Sequence, residues 1–227
     1  MTATVVDHFL FDLDGTLLDS EILYIEAVGT AIRQRGGQLD AEGATQLVYG
    51  RSWHDIFAEV GRRWPGAWPR IDEMEAAVRS IFMRLEQERD ISIPGSVYLL
   101  QSLAQHYPVA IVSGSPREDV ARCVAHLGIE PCLRFFLGAE DYSPGKPHPA
   151  GYLAAARRFG VEPSRCLVFE DSSAGVTAAK AAGMHCVALK RPGAPEQEVG
   201  AADVVLSDLS HFDPGQFRIP WPAPGGH

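Results

Sequence analysis

The sequence Phe11-Asp12-Leu13-Asp14-Gly15-Thr16 closes a short apolar run that starts at Val5, and this run predicts a buried strand. Residues i and i+2 of an extended segment point to the same side, so Asp12 and Asp14 are expected to converge on one site. Two carboxylates this close together raise a pKa or recruit a cation. Gly15 allows a sharp turn because it has no Cβ. Taken alone, the segment also fits a solvated Asp-Gly turn of a hairpin.

Length and composition are those of an ordinary globular protein. The chain has 227 residues, enough for one large domain or two modest ones with a sizeable core. Apolar residues make up 46% and charged residues 22%. A formal net charge of −9 disfavours nucleic acid as a partner. Because no apolar run approaches the length of a membrane span, we expect no membrane partner either.

The cysteines and the first residues of the chain bear on its location. The four cysteines fall in apolar or helical patterns, where a free thiol behaves as a small hydrophobe: Cys123, Cys132, Cys166 and Cys186. None forms a C-x-x-C pair, which indicates a reducing compartment. No basic region followed by an apolar run opens the chain. We therefore expect a cytoplasmic protein, and its oligomeric state is left open.

Residues 20–90 show helical patterns and no strand. Their clearest helix carries apolar residues at steps of three and four: Ile71, Met74, Val78, Ile81 and Leu85. A further helix is expected from Ser20 to Arg35, and two shorter ones over 40–49 and 52–64, separated at Gly50. This pattern predicts a separate helical domain, residues 20–90, inserted directly after the first strand.

From residue 91 the pattern changes to short apolar strands that alternate with helices. Further strands are predicted over residues 109–112, 135–137, 167–169 and 186–189, with an edge strand at 204–206. This alternation is typical of an α/β protein with a doubly wound parallel sheet. The α/β core would comprise residues 1–19 and 91–213. Residues 214–227, rich in Pro and Gly, are expected to form an irregular C-terminal tail.

Polar side chains collect where the predicted strands end, the edge at which open α/β sheets bind ligands. Ser113 follows one strand, Glu170 and Asp171 follow another, and Lys146 precedes a helix. Singly, these residues fit a turn or cap serine, a solvated lysine and a helix N-terminus. Together with the first two carboxylates they offer a nucleophile, an acid/base, a hydroxyl, a cation and metal ligands. Phosphoryl transfer requires that set.

Four segments, in order, resemble the motifs of the haloacid dehalogenase superfamily: Phe11-Asp12-Leu13-Asp14-Gly15-Thr16, Val112-Ser113-Gly114-Ser115, Gly145-Lys146-Pro147 and Phe169-Glu170-Asp171-Ser172. Their spacing suits the branch with a helical cap inserted after the first motif, which holds sugar phosphatases, phosphoglycolate phosphatases and β-phosphoglucomutase. The resemblance covers about residues 5–212. It implies a Rossmann-like core, a cap at residues 20–90 and a phosphatase that acts on a small phosphate monoester.

The resemblance also implies roles for the matching residues. Asp12 would attack phosphorus and form an aspartyl-phosphate. Asp14 would protonate the leaving oxygen and then deprotonate the hydrolytic water. Ser113 and Lys146 would grip the transferring phosphate. Thr16 would shape the loop beside the bound substrate.

A magnesium site is implied in the same way. Mg²⁺ would bind Asp12, the backbone carbonyl of Asp14, and Asp171, while Glu170 would ligate directly or hold a metal-bound water. The expected cofactor is therefore Mg²⁺, and the expected partner is a small phosphorylated metabolite.

Substrate choice is expected to depend on the cap. Besides Thr16 and Gly114 of the core motifs, four cap residues are candidate substrate contacts: Tyr24, Arg51, Trp53 and His54. An aromatic ring and an arginine suit a hydroxylated phosphate ester. Trp64 and Trp68 are expected to pack in the interior instead.

Two alternatives stay open, while Asp14 argues against dehalogenase activity because dehalogenases lack that carboxylate. A β-phosphoglucomutase-like enzyme typically has a His and an Arg where this chain places Tyr24 and Trp53, although Arg51 or Arg117 could substitute. The second alternative is a catalytically silent phosphate-binding regulator, which the intact Asp pair disfavours.

Overall fold

The computed structural model of the protein describes residues 5–48, 51, 53–192 and 197–220. The chain divides into two compact units. The core unit is formed by Met1–Leu18 and Ser92–His227, and the cap unit by Asp19–Ile91. Of the tail predicted to be irregular, residues 214–220 are described and include a single 3₁₀ turn at Pro214–Gln216, and residues 221–227 lie outside the described part.

A parallel six-stranded sheet forms the centre of the core unit. Its strands are β1 (His8–Phe11), β2 (Val109–Val112), β3 (Phe135–Leu137), β4 (Cys166–Glu170), β5 (His185–Leu189) and β6 (Val204–Leu206). Their order across the sheet is β3-β2-β1-β4-β5-β6, and every pairing is parallel. The predicted α/β fold with a doubly wound parallel sheet is confirmed.

The strand order creates a switch point between β1 and β4. From β1 the chain winds through β2 to β3 on one side, and β4 leads to β5 and β6 on the other. Phe11 of β1 pairs with Phe169 of β4, so the residues that follow them start from adjacent positions. Parallel α/β sheets bind their ligands at such a switch point, beyond the carboxyl ends of the strands.

The α-helices in the described part of the core unit are α5 (Pro94–Ala104), α6 (Arg117–His126), α7 (Ala150–Phe159) and α8 (Ser173–Ala181). The strands β1, β2, β4 and β5 are almost wholly buried, which explains their continuous apolar runs. Helices α7 and α8 cover one face of the sheet, where Tyr152 and Val176 pack against Leu10 and Val168.

The described part of the cap unit consists of α-helices joined by turns and contains no strand. Its helices are α1 (Ser20–Gln34), α2 (Ala41–Val48), α3 (Trp53–Arg63) and α4 (Ile71–Glu88). The apolar residues that predicted α4 are buried, except for half-buried Ile71. Arg89 donates to Glu26 of α1, with 2.5 Å between Nη1 and Oε2. Gly50, the predicted break between two helices, lies outside the described residues.

Two further features of the described chain are the state of its cysteines and the length and polarity of its helices. All four cysteines are free thiols, and Cys123, Cys166 and Cys186 are buried, as expected for small hydrophobic side chains. Within the described chain, every helix is too short or too polar to cross a lipid bilayer.

Candidate active site

Three carboxylates meet where β1 and β4 end. Asp12 follows β1 and its N–H donates to the carbonyl of Phe169, at 3.0 Å. Glu170 is the last residue of β4, and Asp171 comes next. One oxygen from each of Asp12, Glu170 and Asp171 lies within 4.8 Å of the others. The adjacent register of the two strands therefore brings together residues that are far apart in the sequence.

Lys146 lies inside this cluster. Its Nζ is 2.5 Å from Oδ1 of Asp12 and 2.5 Å from Oε1 of Glu170, and it also donates to the carbonyl of Val112 at 3.2 Å. The lysine side chain is only 13% exposed. Burial opposes its charge, but the attraction of the two carboxylates outweighs burial and raises the pKa of Lys146. The reading of Lys146 as a solvated surface lysine is wrong.

The carboxylates differ in how the site changes their pKa values. Burial raises the pKa of Asp12 well above its usual range, against the attraction of Lys146. Burial, followed by repulsion from Glu170, raises the pKa of Asp171 to about 7. Burial would also raise the pKa of Glu170, but Lys146, Tyr152 and a backbone N–H hold it below its usual range. Three neighbouring carboxylates thus share one ammonium, and their crowding is the condition that recruits a further cation.

The donor atoms of this cluster fit a hard divalent cation. All three side chains present carboxylate oxygens, the ligands that Mg²⁺ prefers, and they are close enough to share one ion. Gly15, with a φ of 86°, lies directly against Asp171, and a Cβ there would overlap the carboxylate. The glycine of the first motif is therefore needed both for the turn and for the approach of Asp171. The side chain of Asp14 is outside this cluster, and only its backbone carbonyl was expected to ligate.

A second group of side chains surrounds Asp14. Ser113, which follows β2, donates from Oγ to Oδ2 of Asp14 at 3.3 Å. Ser115 donates to the same oxygen at 2.7 Å. Ser113 is fully buried, and its carbonyl accepts from the hydroxyl of Tyr142 at 2.8 Å. The structure therefore brings together the second motif and the second carboxylate of the first motif.

The other two core candidates differ in exposure. Thr16 is fully buried, and its Oγ1 has no hydrogen-bond partner among the described residues. Thr16 would therefore influence substrate binding by fixing the shape of the loop and not by direct contact with the substrate. Gly114 is exposed beside Ser113, and a Cβ there would meet open space.

Sequence reasoning missed several residues that support the site. Tyr152 lies on the buried face of α7, and its hydroxyl donates to Oε1 of Glu170 at 2.7 Å. Ser172 donates from N and Oγ to Oε2 of the same carboxylate. Ser172 also caps α8, so the cap expected at Glu170 and Asp171 lies one residue later. A tyrosine on an apolar helix face was the available signal, because a buried hydroxyl needs a partner.

The cap candidates are arranged within their own unit. Tyr24 stacks on Phe82 with ring centres 4.3 Å apart, and Trp53 lies edge-on to Tyr24 at 6.5 Å. Arg51 and His54 are exposed, as is Tyr24. The structure therefore brings Tyr24 and Trp53 together. Trp68 is buried, as expected for a packing aromatic, and Trp64 is half-buried.

Comparison with curated proteins finds phosphatases of similar length. The chain is 34% identical over 214 residues to validoxylamine A 7'-phosphate phosphatase from Streptomyces hygroscopicus subsp. limoneus. The aligned region covers 94% of this chain and 95% of the relative. It is 33% identical over 216 residues to hexitol phosphatase A from Escherichia coli K12, with 90% and 92% covered. These relatives confirm the predicted enzyme class, a phosphatase.

Solved structures and family matching agree with this. A HAD family hydrolase from Deinococcus radiodurans R1, solved with bound phosphate and sodium, superposes with a TM-score of 0.75 at 26% identity, over 94% of this chain and 98% of that one. Residues 6–183 match the family described as haloacid dehalogenase-like hydrolase. The resemblance of the four motifs is confirmed, and the chain belongs to the haloacid dehalogenase-like hydrolase family.

Proposed function

We propose that this protein is a Mg²⁺-dependent phosphatase that hydrolyses a small hydroxylated phosphate monoester through an aspartyl-phosphate. The observation that carries the proposal is the buried cluster of Asp12, Lys146, Glu170 and Asp171 at the switch point of the sheet. It combines a carboxylate nucleophile, a fixed cation and metal-binding oxygens in one place.

Each residue has a defined part in this reaction. An oxygen of Asp12 attacks phosphorus, the ester P–O bond breaks, and Asp14 gives its proton to the leaving alcohol. In the second half, Asp14 takes a proton from water, the water oxygen attacks phosphorus, and the bond to Asp12 breaks to release inorganic phosphate. Lys146 and the Ser113 hydroxyl bind phosphoryl oxygens and keep the group in line for both steps.

The metal site assists the same steps. Asp12, Glu170 and Asp171 would hold the ion, with Glu170 either a direct ligand or a partner of a metal-bound water, and the Asp14 carbonyl would complete the protein ligands. Mg²⁺, when bound, supplies positive charge that stabilises the phosphoryl oxygens in the transition state. Lys146 and Tyr152 orient Glu170 by donating to its Oε1.

The substrate class rests on the relatives and on the cap residues. One relative is named for a hexitol, which supports a polyol or sugar phosphate here. In the cap unit, Tyr24 and Trp53 form an aromatic pair, and Arg51 and His54 add exposed polar groups. Aromatic faces and hydrogen-bonding groups together suit a hydroxylated substrate.

The four free thiols support the cytoplasmic location expected from the sequence.

The decisive assay measures phosphate release from a panel of sugar phosphates, polyol phosphates and phosphoglycolate, with and without a chelator. We expect turnover of at least one sugar or polyol phosphate that the chelator abolishes and Mg²⁺ restores, and none with Asp12→Asn. Absence of turnover across the panel would instead favour the silent phosphate-binding regulator. Turnover that a chelator leaves unchanged would contradict the metal assignment.

The mutase alternative is tested with β-glucose 1-phosphate. We expect release of inorganic phosphate, with conversion to glucose 6-phosphate absent or minor. Conversion faster than hydrolysis would show that the second phosphate position of a mutase is present and would overturn the assignment as a hydrolase.

A further inference from the structure

The hydrogen bonds of Asp14 single out one residue that has no assigned part in the reaction. Ser115 donates from Oγ to Oδ2 of Asp14 at 2.7 Å, a shorter contact than the 3.3 Å bond from Ser113. Both hydroxyls meet the same carboxylate oxygen. Two donors on one oxygen constrain the plane of a carboxylate more tightly than either alone.

The position of the Ser115 hydroxyl is set by the backbone on both sides of it. The N–H of Ser115 donates to Oγ of Ser113 at 3.0 Å, and its carbonyl accepts from the N–H of Ala139 at 2.9 Å. Helix α6 begins two residues later, at Arg117. Since both backbone groups of Ser115 are used, its side chain starts from a fixed point and presents its oxygen to Asp14.

We propose that Ser115 is a positioning residue that holds the Asp14 carboxyl group in its proton-transfer orientation through both halves of the reaction. This inference rests on the proposed function, in which Asp14 gives and takes a proton. A serine hydroxyl donates to a carboxylate and accepts from a carboxylic acid. It can therefore stay bonded to Asp14 as the proton leaves and returns, whereas an alanine at this position offers neither bond.

Steady-state kinetics with a matched set of variants test the proposal. With the best sugar or polyol phosphate of the panel, Ser115→Ala is expected to lower kcat by about 10- to 100-fold, the range for losing a hydrogen bond to a charged group. KM should change by less than about threefold. Ser115→Thr keeps the hydroxyl and should recover most of kcat. Ser102→Ala, which removes a hydroxyl bonded only within α5, should match the parent protein.

The effects of these variants on kcat and KM distinguish a positioning role of Ser115 from direct contact with the substrate. A rise in KM at unchanged kcat would make Ser115 a substrate contact and overturn the proposal. The same fall in Ser115→Thr as in Ser115→Ala would also overturn it, because the hydroxyl would then be irrelevant.

A double-mutant cycle with Asp14→Asn distinguishes a residue that acts through Asp14 from one with a purely structural role. The first half-reaction is followed as single-turnover release of the alcohol from the best sugar or polyol phosphate, whose leaving group needs the proton of Asp14. If Ser115 acts through Asp14, adding Ser115→Ala to Asp14→Asn should change this single-turnover rate by less than about twofold. A loss equal to that of Ser115→Ala in the parent protein would show independent action and contradict the proposal.

A crystal structure of Ser115→Ala gives a test that does not depend on turnover. We expect the Asp14 carboxyl group to rotate or to occupy two conformers, with Asp12 and Lys146 unchanged. An Asp14 side chain left in its single orientation would overturn the proposal. A displaced Asp14 in a protein that turns over no phosphate ester would retain Ser115 as the orienting residue and reject the proposed function alone.

Discussion

At the residue scale, two carboxylates separated by a single leucine in the sequence occupy different surroundings. Asp12 lies against the Lys146 ammonium and two further carboxylates, whereas Asp14 accepts hydrogen bonds from two serine hydroxyls. The first environment suits a nucleophile beside a metal ion, and the second suits a group that exchanges protons. Substitutions at the two positions should therefore have different consequences.

Asp12→Asn should abolish turnover of every ester, because it removes the nucleophile and a metal ligand together. Asp14→Asn removes the proton donor, a contribution of about 10²- to 10⁴-fold, and should slow sugar phosphates most because their leaving groups need protonation. An activated aryl ester should still phosphorylate Asp12. The measurement is a burst of aryl alcohol, with intact mass spectrometry detecting one added phosphoryl group.

One outcome would contradict the assignment of Asp14 as the acid and base. If Asp14→Asn slows aryl and alkyl esters equally, with no burst and no phosphoenzyme, then Asp14 is not the acid and base of the reaction.

A buried tyrosine links the carboxylate of Glu170 to the core. Tyr152→Phe removes the hydroxyl that donates to fully buried Glu170, at 2.7 Å, and leaves that carboxylate with one donor fewer. We expect the free energy of unfolding of the core unit to fall by about 1.5–3 kcal/mol, the range for hydrogen bonds to charged groups. Urea denaturation measures it.

Tyr98→Phe is the matched control, since Tyr98 is 67% exposed on α5 of the same unit. This variant should unfold within about 0.5 kcal/mol of the parent protein. Equal stability of the Tyr152 and Tyr98 variants would show that Glu170 does not depend on the tyrosine hydroxyl.

At the scale of elements, the start of α8 is shaped by the carboxylate that precedes it. Gly175 lies in the first turn of α8, and a Cβ there would overlap the carboxylate of Glu170. That carboxylate cannot easily move aside, because Lys146, Tyr152 and Ser172 all bond to it. Close packing of the helix on the site thus takes precedence over helix propensity at this position.

Gly175→Ala should therefore destabilise the core unit by about 1–3 kcal/mol, the usual cost of overpacking, although alanine is the better helix former. It should also lower phosphatase activity, because Glu170 must shift away from Lys146. Differential scanning calorimetry and the phosphate-release assay give the two measurements.

Gly61→Ala provides the control for helix propensity alone. Gly61 is an exposed residue of α3 with no atom near the position of a Cβ, so alanine should stabilise the cap unit by about 0.5–1 kcal/mol. Calorimetry can follow the transitions of both units. A Gly175→Ala protein stabilised like the Gly61 variant would refute the overlap argument.

At the scale of the whole molecule, stability and metal binding should be coupled through the acidic cluster. An ion that binds only the folded state stabilises it by mass action, by about 2.7 kcal/mol at one hundred times Kd. For a unit of this size that shift raises Tm by about 5–10 °C. Thermal melts with Mg²⁺ and with a chelator test this expectation without any substrate.

Asp171→Asn should separate metal binding by the cluster from the cost of the charge that Asp171 carries within it. It removes a metal ligand, so the rise in Tm with Mg²⁺ should be lost or greatly reduced. It also removes a negative charge that is disfavoured by burial and by repulsion from Glu170, so Tm in chelator should be higher than that of the parent protein at pH 8. An undiminished Mg²⁺ shift in the variant would exclude Asp171 from the metal site.

Local patterns in the sequence are sufficient for the architecture of this protein. Parallel strands buried on both faces need continuous apolar runs, and amphipathic helices need apolar residues every three or four positions, so both leave periodic signals within a few residues. Asp12, Asp14 and Gly15 likewise form one short motif whose turn requires glycine. The strands and the helices can therefore be identified from the amino-acid sequence alone, and the same sequence nominates Asp12 and Asp14 as candidate site residues.

The contacts that give these residues their properties were decided by the tertiary structure alone. Lys146 reaches Asp12 across 134 positions and Ser115 reaches Asp14 across 101, and the sequence carries no local trace of either bond. Burial of Lys146 and the hydroxyl of Tyr152 on Glu170 depend on how β1, β4 and α7 pack. Charge and hydrogen-bond geometry at the site thus come from long-range packing, which a one-dimensional pattern does not encode.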